Sequence, residues 1–162
     1  MTDAPIKPVC RNRRARFAYE LLERFEAGLV LTGSEVKSMR AGRAHLGDAY
    51  ACIRSGEAFL LKAHIDPYPE AGHFNHEPQR ERKLLLGRRE IRRLDGRLRE
   101  RGYTLVPLSM YFLGSWAKVE LALARGKRQV DKRQTIARRE SDRRLQRMLK
   151  RRARPGPIRS GR

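Results

Sequence analysis

The side chains with the most obvious chemical potential are the four histidines, His45, His64, His73 and His76. His73-Phe-Asn-His76 places two imidazoles three positions apart. No cysteine cluster and no third ligand stand at the spacing a zinc site needs, so no metal and no other cofactor is expected. Asp66 and Glu70 could form a carboxylate pair, but they fall in Asp66-Pro-Tyr-Pro-Glu-Ala-Gly72 with no acid–base partner beside them. No Gly-rich phosphate loop follows a strand, and no Gly-x-Ser-x-Gly turn is present. Cys10 and Cys52 stand apart and form no Cys-x-x-Cys, which fits a reducing cytoplasm. Catalysis has no constellation to run on, and an enzyme is not expected.

Binding chemistry remains. The 162 residues carry a net charge of +20, which calls for a polyanion: nucleic acid, the ribosome or an anionic membrane. No run has the length of a membrane span, and Met1-Thr-Asp-Ala-Pro-Ile-Lys-Pro8 lacks an apolar signal core. The charge is uneven: residues 126–162 carry +12 of it and residues 1–125 carry +8. A membrane-surface role for the tail is disfavoured, because a basic helix of that kind needs large apolar residues that the tail lacks. Glu26 is an acid amid basic residues. It either pairs with a neighbouring arginine or accepts from a base edge or a 2′-hydroxyl, which an arginine cannot do; on the residues alone the ion pair is favoured. Tyr19, Tyr50, Phe59, Tyr111 and Trp116 could stack on bases. Most of them read as core, and Trp116, beside Gly114-Ser115, is the exception. Phe74 either packs its loop onto the body or takes part in an RNA contact.

The elements that must position these residues follow from periodicity. Phe17, Tyr19, Leu21 and Phe25 alternate as a strand, although Leu21-Leu-Glu-Arg24 also suits a helix. Ala27-Gly28 reads as a turn or bulge, and Leu29-Val-Leu31 as a second strand. Thr32-Gly-Ser-Glu35 fits a capping box opening a short helix that Gly42 closes; Lys37, Arg40 and Arg43 project from it. Ala49, Ala51 and Ile53 form a strand, Ser55-Gly-Glu57 a hairpin turn, and Phe59, Leu61, Ala63 and Ile65 share one face of the next strand. Residues 66–82 read as loop. Ile91, Leu94 and Leu98 mark an amphipathic helix weakened by Gly96 unless that residue serves close packing. Val106, Leu108, Met110 and Phe112 make a strand that Pro107 demotes to an edge or a bulge. Ala117, Val119, Leu121 and Leu123 face inward on the last. The expected fold is mainly β with flanking helices: an OB-like antiparallel β-barrel over residues 11–125, a disordered N-terminus over 1–10, and a basic, disordered-to-helical C-terminal tail over 126–162. In the tail, Asp131-Lys-Arg133 reads as a solvated helix start, with Asp131 suited to its N-terminus.

Colinear motifs carry a family resemblance. Asn12-Arg-Arg-Ala-Arg16, Glu26-Ala-Gly28, Gly33-Ser-Glu-Val-Lys-Ser38, Arg40-Ala-Gly42, Asp48-Ala-Tyr50, Phe74-Asn-His76, Arg82-Lys-Leu-Leu-Leu86, Arg89-Glu-Ile91, Gly126-Lys-Arg128 and Asp131-Lys-Arg133 follow one another as in SmpB, and the chain resembles that family over residues 11–145. The resemblance implies an OB-like, non-enzymatic, cytoplasmic bacterial protein. It would bind the tRNA-like domain of transfer-messenger RNA and deliver it to stalled ribosomes in trans-translation. It implies RNA contact by Asn12, Glu26, Leu85 and Lys118, joined by Arg13, Arg16, Lys37 and Arg40 as nearby cations. It implies a ribosome-contacting tail carrying Gly126, Lys127, Arg128, Asp131, Lys132 and Arg133. The partners would be that RNA, ribosomal RNA of the stalled ribosome and, through the aminoacylated RNA, elongation factor Tu; a monomer and no membrane are expected. Two positions depart from the family pattern: Gly87, where Asn or His is common, and Val130, where an aromatic or His is usual. A general ribosome-associated or chaperone-like RNA-binding OB protein is the alternative that charge and fold support equally.

Overall fold

The structure, a computed structural model, describes residues 4–152, and within the last helix the side chains of 129–131 and 151–152 lie outside the description. The elements are β1 (Ile6–Arg11), α1 (Ala15–Ala18), β2 (Tyr19–Leu29), α2 (Gly33–Arg40), β3 (Ala44–His45), β4 (Tyr50–Arg54), β5 (Glu57–Leu61), β6 (His64–Ile65), a 3-10 segment Pro69–Phe74, β7 (Arg82–Leu85), α3 (Arg88–Arg99), β8 (Tyr103–Leu113), β9 (Trp116–Gly126) and α4 (Gln129–Arg152). The protein is thus mainly β-sheet with a C-terminal helix. Two compact units divide between Gly126 and Lys127.

In the first unit, seven strands share one sheet in the order β1-β8-β4-β5-β7-β2-β9, and β8 also pairs with β9. The hydrogen-bonded circuit β8–β4–β5–β7–β2–β9 therefore returns to β8, and every pairing in it is antiparallel. Such a circuit leaves few open edges for another chain to pair with. One face of these strands encloses the main core, with Met39, Leu60, Leu94, Leu105, Met110, Leu121 and Leu123 fully buried. A smaller cluster on the other face joins Ala15 of α1 to Val106, Leu108, Ala122 and Ala124.

Several expectations change. Residues 6–10 belong to β1, which pairs with Ser109–Leu113 of β8; Pro8 is tolerated because the register shifts between Pro8 and Cys10. Ala27-Gly28 makes no turn, since β2 runs through it and Gly28 pairs with both β7 and β9. The sequence 59–65 is two strands: Lys62 has φ 57°, which resets the pleat. Consequently Ala58 and Leu60 face the core rather than Phe59 and Leu61, while Ala63 and Ile65 point inward as expected. Pro107 sits at a bulge between Pro107 and Ser109 in a central strand, so Leu105 shares the main core with Met110 while Val106 and Leu108 face α1. Gly96 has open space where a Cβ would stand, so it serves no close packing.

The Thr32–Glu35 capping box forms. The Glu35 carboxylate accepts the Thr32 N–H at 3.0 Å and the Thr32 hydroxyl at 2.9 Å. It is wholly buried and also takes Arg80 (2.6 Å) and Arg82, whose side chain is equally buried. Arg82 donates further to the carbonyls of Ala63 (2.7 Å) and Pro78 (3.1 Å). Burial pushes the Glu35 carboxyl up, but the Thr32 N–H and the two arginines outweigh it and hold it below the usual carboxylate range. This pair ties α2 to β7 and to the loop before it.

That loop is fixed at its other end too. Asn75 bridges the backbone of Tyr68, accepting its N–H at 2.9 Å and donating to its carbonyl at 2.7 Å. His76 is buried, with Nε2 donating to the Ile65 carbonyl (2.9 Å) and Nδ1 accepting the Ser34 hydroxyl (2.8 Å). Phe74, by contrast, is 88% exposed and packs the loop on nothing.

In the second unit α4 runs 24 residues, so the basic tail is a helix in this structure. Lys127 Nζ donates to Thr135 Oγ1 at 3.4 Å. The Asp131 side chain, read above as a helix N-terminal group, and Val130 lie outside the described side chains. Leu145, Met148 and Leu149 are exposed at helical spacing. Among the described residues no helix is long and apolar enough to cross a membrane.

Candidate nucleic-acid interface

Residues directly opposite one another on paired strands point to the same face. Tyr111 stands opposite Lys118, Lys118 opposite Gly28, and Gly28 opposite Leu85, making one row across β8, β9, β2 and β7. Two residues along, Ser109, Glu120 and Glu26 make the next row. Their neighbours Met110, Val119 and Leu121 are buried on the core side, so both rows lie on the outer face.

The rows form an acid–base mosaic. Glu26 accepts the Tyr111 hydroxyl on one oxygen, and its other oxygen lies 3.5 Å from Lys118 Nζ. Glu120 takes Arg24 at 3.0 Å and the Ser109 hydroxyl at 3.2 Å. Glu26 and Glu120 stand directly opposite each other, an arrangement that repels unless each carboxylate has its own cation. Burial, then the Glu26 carboxylate, push the Tyr111 phenol well above its usual range, so Tyr111 remains a donor. Glu26 is therefore paired with a lysine and a tyrosine rather than an arginine, and it stays exposed. A concavity of about 370 Å³ adjoins it, walled by Arg11, Arg24 and Glu120.

Leu85 is 56% exposed, and the missing side chain of Gly28 lets it lie across β2: a Cβ on Gly28 would come within 3.1 Å of Leu85 Cβ. Asn12 is used inside the protein. It donates to the Pro107 carbonyl (3.1 Å), accepts the Ala15 N–H (3.2 Å), and its own N–H meets the Leu108 carbonyl (2.7 Å). It thereby starts α1, which covers one end of the outer face through Ala15 and presents the exposed Arg13 and Arg16. Beside Asn12, Arg14, Tyr19, Asp48 and Tyr50 line a second concavity of about 360 Å³. Trp116, at the β8–β9 turn, is 74% exposed.

The structure thus gathers Asn12, Arg13, Arg16, Glu26, Leu85 and Lys118 on one side of the sheet. Lys37 and Arg40 stand apart on α2. The Arg40 guanidinium lies 5.6 Å from the ring of Phe112, which points away from the face that bears Tyr111. Gly126, assigned above to the tail, is the last residue of β9, opposite Tyr19. Sequence reasoning missed Tyr111, Ser109, Glu120 and Arg24 as a set; only register brings them together, although the Tyr111 alternation with Met110 and Phe112 marks it as outward. Gly87 caps α3 by donating its N–H to Glu90 (3.0 Å). His76 spends both ring nitrogens on the protein, and among the described residues no group of three metal-ligating side chains converges.

Comparison with known proteins gives one consistent result. The family model described as SmpB protein matches residues 9–151. The SsrA-binding protein of Symbiobacterium thermophilum is 57% identical over 148 residues, covering 91% of this chain and 94% of that one. That of Gloeothece citriformis is 56% identical over 146 residues, covering 90% and 94%. A solved chain from a structure described as "tmRNA-SmpB: a journey to the center of the bacterial ribosome" aligns with a TM-score of 0.64 at 47% identity, covering 80% of this chain and 94% of that chain.

Proposed function

We propose, from the premise that this chain belongs to the SmpB family, that it binds the tRNA-like domain of transfer-messenger RNA and delivers it to stalled ribosomes for trans-translation. It is an RNA-binding protein and not an enzyme. The observation that carries the reading is the Glu26–Lys118–Tyr111 mosaic on the outer face. A surface built for charge alone would have no use for carboxylates. One that must read a fold offers acceptors to base edges and 2′-hydroxyls between cations that take phosphates.

In this reading the strand circuit is an OB-like barrel whose outer face holds the RNA. Glu26 and Lys118 meet it directly, Leu85 gives apolar contact, and Asn12 aims Arg13 and Arg16 at the backbone. Lys37 and Arg40 serve a separate surface. The helical tail, with Lys127, Arg128, Lys132 and Arg133 at its start, lies along ribosomal RNA and neutralises phosphates. Elongation factor Tu is met only through the aminoacylated RNA, and the protein works as a cytoplasmic monomer.

Binding of Glu26→Arg to cognate and random RNA at physiological salt tests the mosaic. The cognate complex weakens, and binding to random RNA holds or strengthens. Cognate affinity equal to wild type would end the idea. Truncation after Gly126 leaves RNA binding largely intact by filter binding and abolishes peptide tagging in a reconstituted translation reaction; tagging by the truncated protein would refute the division of labour.

A further inference from the structure

The most exposed large apolar side chain in the described body is Phe74, and the loop that carries it is tied to the body. Three separate devices fix the loop that carries it. Asn75 closes the loop by its two bonds to the Tyr68 backbone. His76, the next residue, is itself held between Ser34 of α2 and the Ile65 carbonyl. Gly72, with φ 53° and ψ −123°, supplies a kink that a side chain would strain. An exposed phenylalanine on a slack loop needs no explanation, because it can fold over and cover itself. This one stands beside two residues whose side chains anchor the loop, which limits how far its backbone can move to cover it. The His73 ring lies edge-on to it at 6.3 Å between centroids.

The loop also meets a cation at its flank. Lys37 Nζ lies 5.2 Å over the Tyr68 ring. Glu70 takes the Tyr68 hydroxyl at 2.9 Å, so it is occupied. An exposed aromatic face on a loop that also meets an α2 cation is the composition of a stacking site for an unpaired nucleotide, with a phosphate on Lys37. The loop is joined to α2 through Ser34 and Lys37, whereas Glu26 and Lys118 lie on the outer strand rows.

We propose that Phe74 is a second RNA-contact point, a platform on which an unpaired base of ribosomal RNA stacks while the outer sheet face holds the tRNA-like RNA. The inference rests on the RNA-binding reading above. Ribosomal RNA is the occupant because the delivered RNA already claims the other face, and because the net charge of +20 suits a second polyanion.

The test uses the full chain with transfer-messenger RNA and ribosomes stalled on a message without a stop codon. Phe74→Ala binds transfer-messenger RNA within about twofold of wild type, which also shows that it is folded. Its complex with that RNA binds the stalled ribosome about tenfold more weakly, the order of one lost base stack. Phe74→Trp restores ribosome binding and Phe74→Leu does not, because stacking needs a π-face. Chemical probing of the ribosomal RNA finds one unpaired base protected by wild type and Phe74→Trp and open with Phe74→Ala. Full rescue by Phe74→Leu would assign the contact to an apolar protein pocket and overturn the proposal. So would an equal loss of affinity for transfer-messenger RNA alone, or wild-type ribosome binding by Phe74→Ala. Failure of the broader reading looks different: wild type itself would then show no preference for the cognate RNA.

Discussion

Glu35→Gln isolates the charge at the centre of the body. Gln keeps the N3 role in the capping box, because its carbonyl still accepts the Thr32 N–H. It removes the negative charge, and it turns an NH2 group toward one of two arginines that can only donate. Arg82 is wholly buried, and Glu35 is the carboxylate it donates to; two carbonyls remain. Breaking a buried pair from one side costs about 3–5 kcal/mol, far more than an exposed pair, because the remaining charge is stranded. That is a large fraction of the roughly 5–15 kcal/mol that holds a domain folded. With a urea slope of about 1.5–2 kcal/mol per molar, a loss near 4 kcal/mol moves the midpoint down by about 2–3 M. The acid limb gives an independent reading. The folded carboxyl is held below its unfolded value, so its contribution is present above the ordinary carboxylate range and is lost as pH falls through the folded value. The gap between wild type and Glu35→Gln in urea melts must therefore narrow as pH drops below about 4.5. A loss under about 1 kcal/mol at neutral pH, or a gap that widens in acid, would refute the reasoning.

Three further outcomes follow from the same geometry. Gly96→Ala stabilises the body by about 1 kcal/mol, because the α3 interior has open space for the methyl group, and thermal melts should show Tm rising by a few degrees. Tyr111 stays protonated beyond the ordinary tyrosine range in wild type; Glu26→Gln brings its titration down only in part, because burial remains, and tyrosinate absorbance against pH reads both. Its raised value means that its contribution to folding is full below the unfolded value and fades as pH rises through the folded one. Asn12→Ala costs about 1–2 kcal/mol in urea melts through the lost start of α1, and its weakened RNA binding accompanies that loss instead of appearing alone.

Of the helices, α2 and α3 were legible because their signals are local, whereas α1 was not: Phe17 read as the start of a strand and lies in α1, with β2 beginning at Tyr19. Thr32 to Glu35, and Leu94 with Leu98, announce α2 and α3 within a few residues. The strands were legible as alternation, but their facing was not. A single positive φ at Lys62 and a bulge after Pro107 each flip the pattern, and neither leaves a mark in hydrophobicity. β1 was hidden for another reason: a proline-rich stretch reads as disorder until a partner some hundred residues away accepts its pairing. Among the candidate site residues, Glu26 and Lys118 were visible as types, whereas their union with Tyr111 depends on a register that no local pattern encodes. No local pattern marks Arg82 as buried: its acceptors, Glu35 and the Ala63 carbonyl, stand far off in sequence and are brought to it only by the fold.

The strand circuit has a consequence for synthesis. β2 takes its long pairing from β9, which begins about ninety residues later, and β1 waits at least as long for the end of β8. At roughly 5–20 residues per second, the amino-terminal strands spend several seconds on a translating ribosome without the neighbours that cover them. Local helices can form in that interval, but loop closure over such spans is slow and must precede any gain from the sheet. The body therefore commits late and nearly all at once, when β9 emerges. A nascent chain cut short before Leu121 would hold β2 as a bare edge, open to aggregation or to a chaperone, with no partly folded fallback.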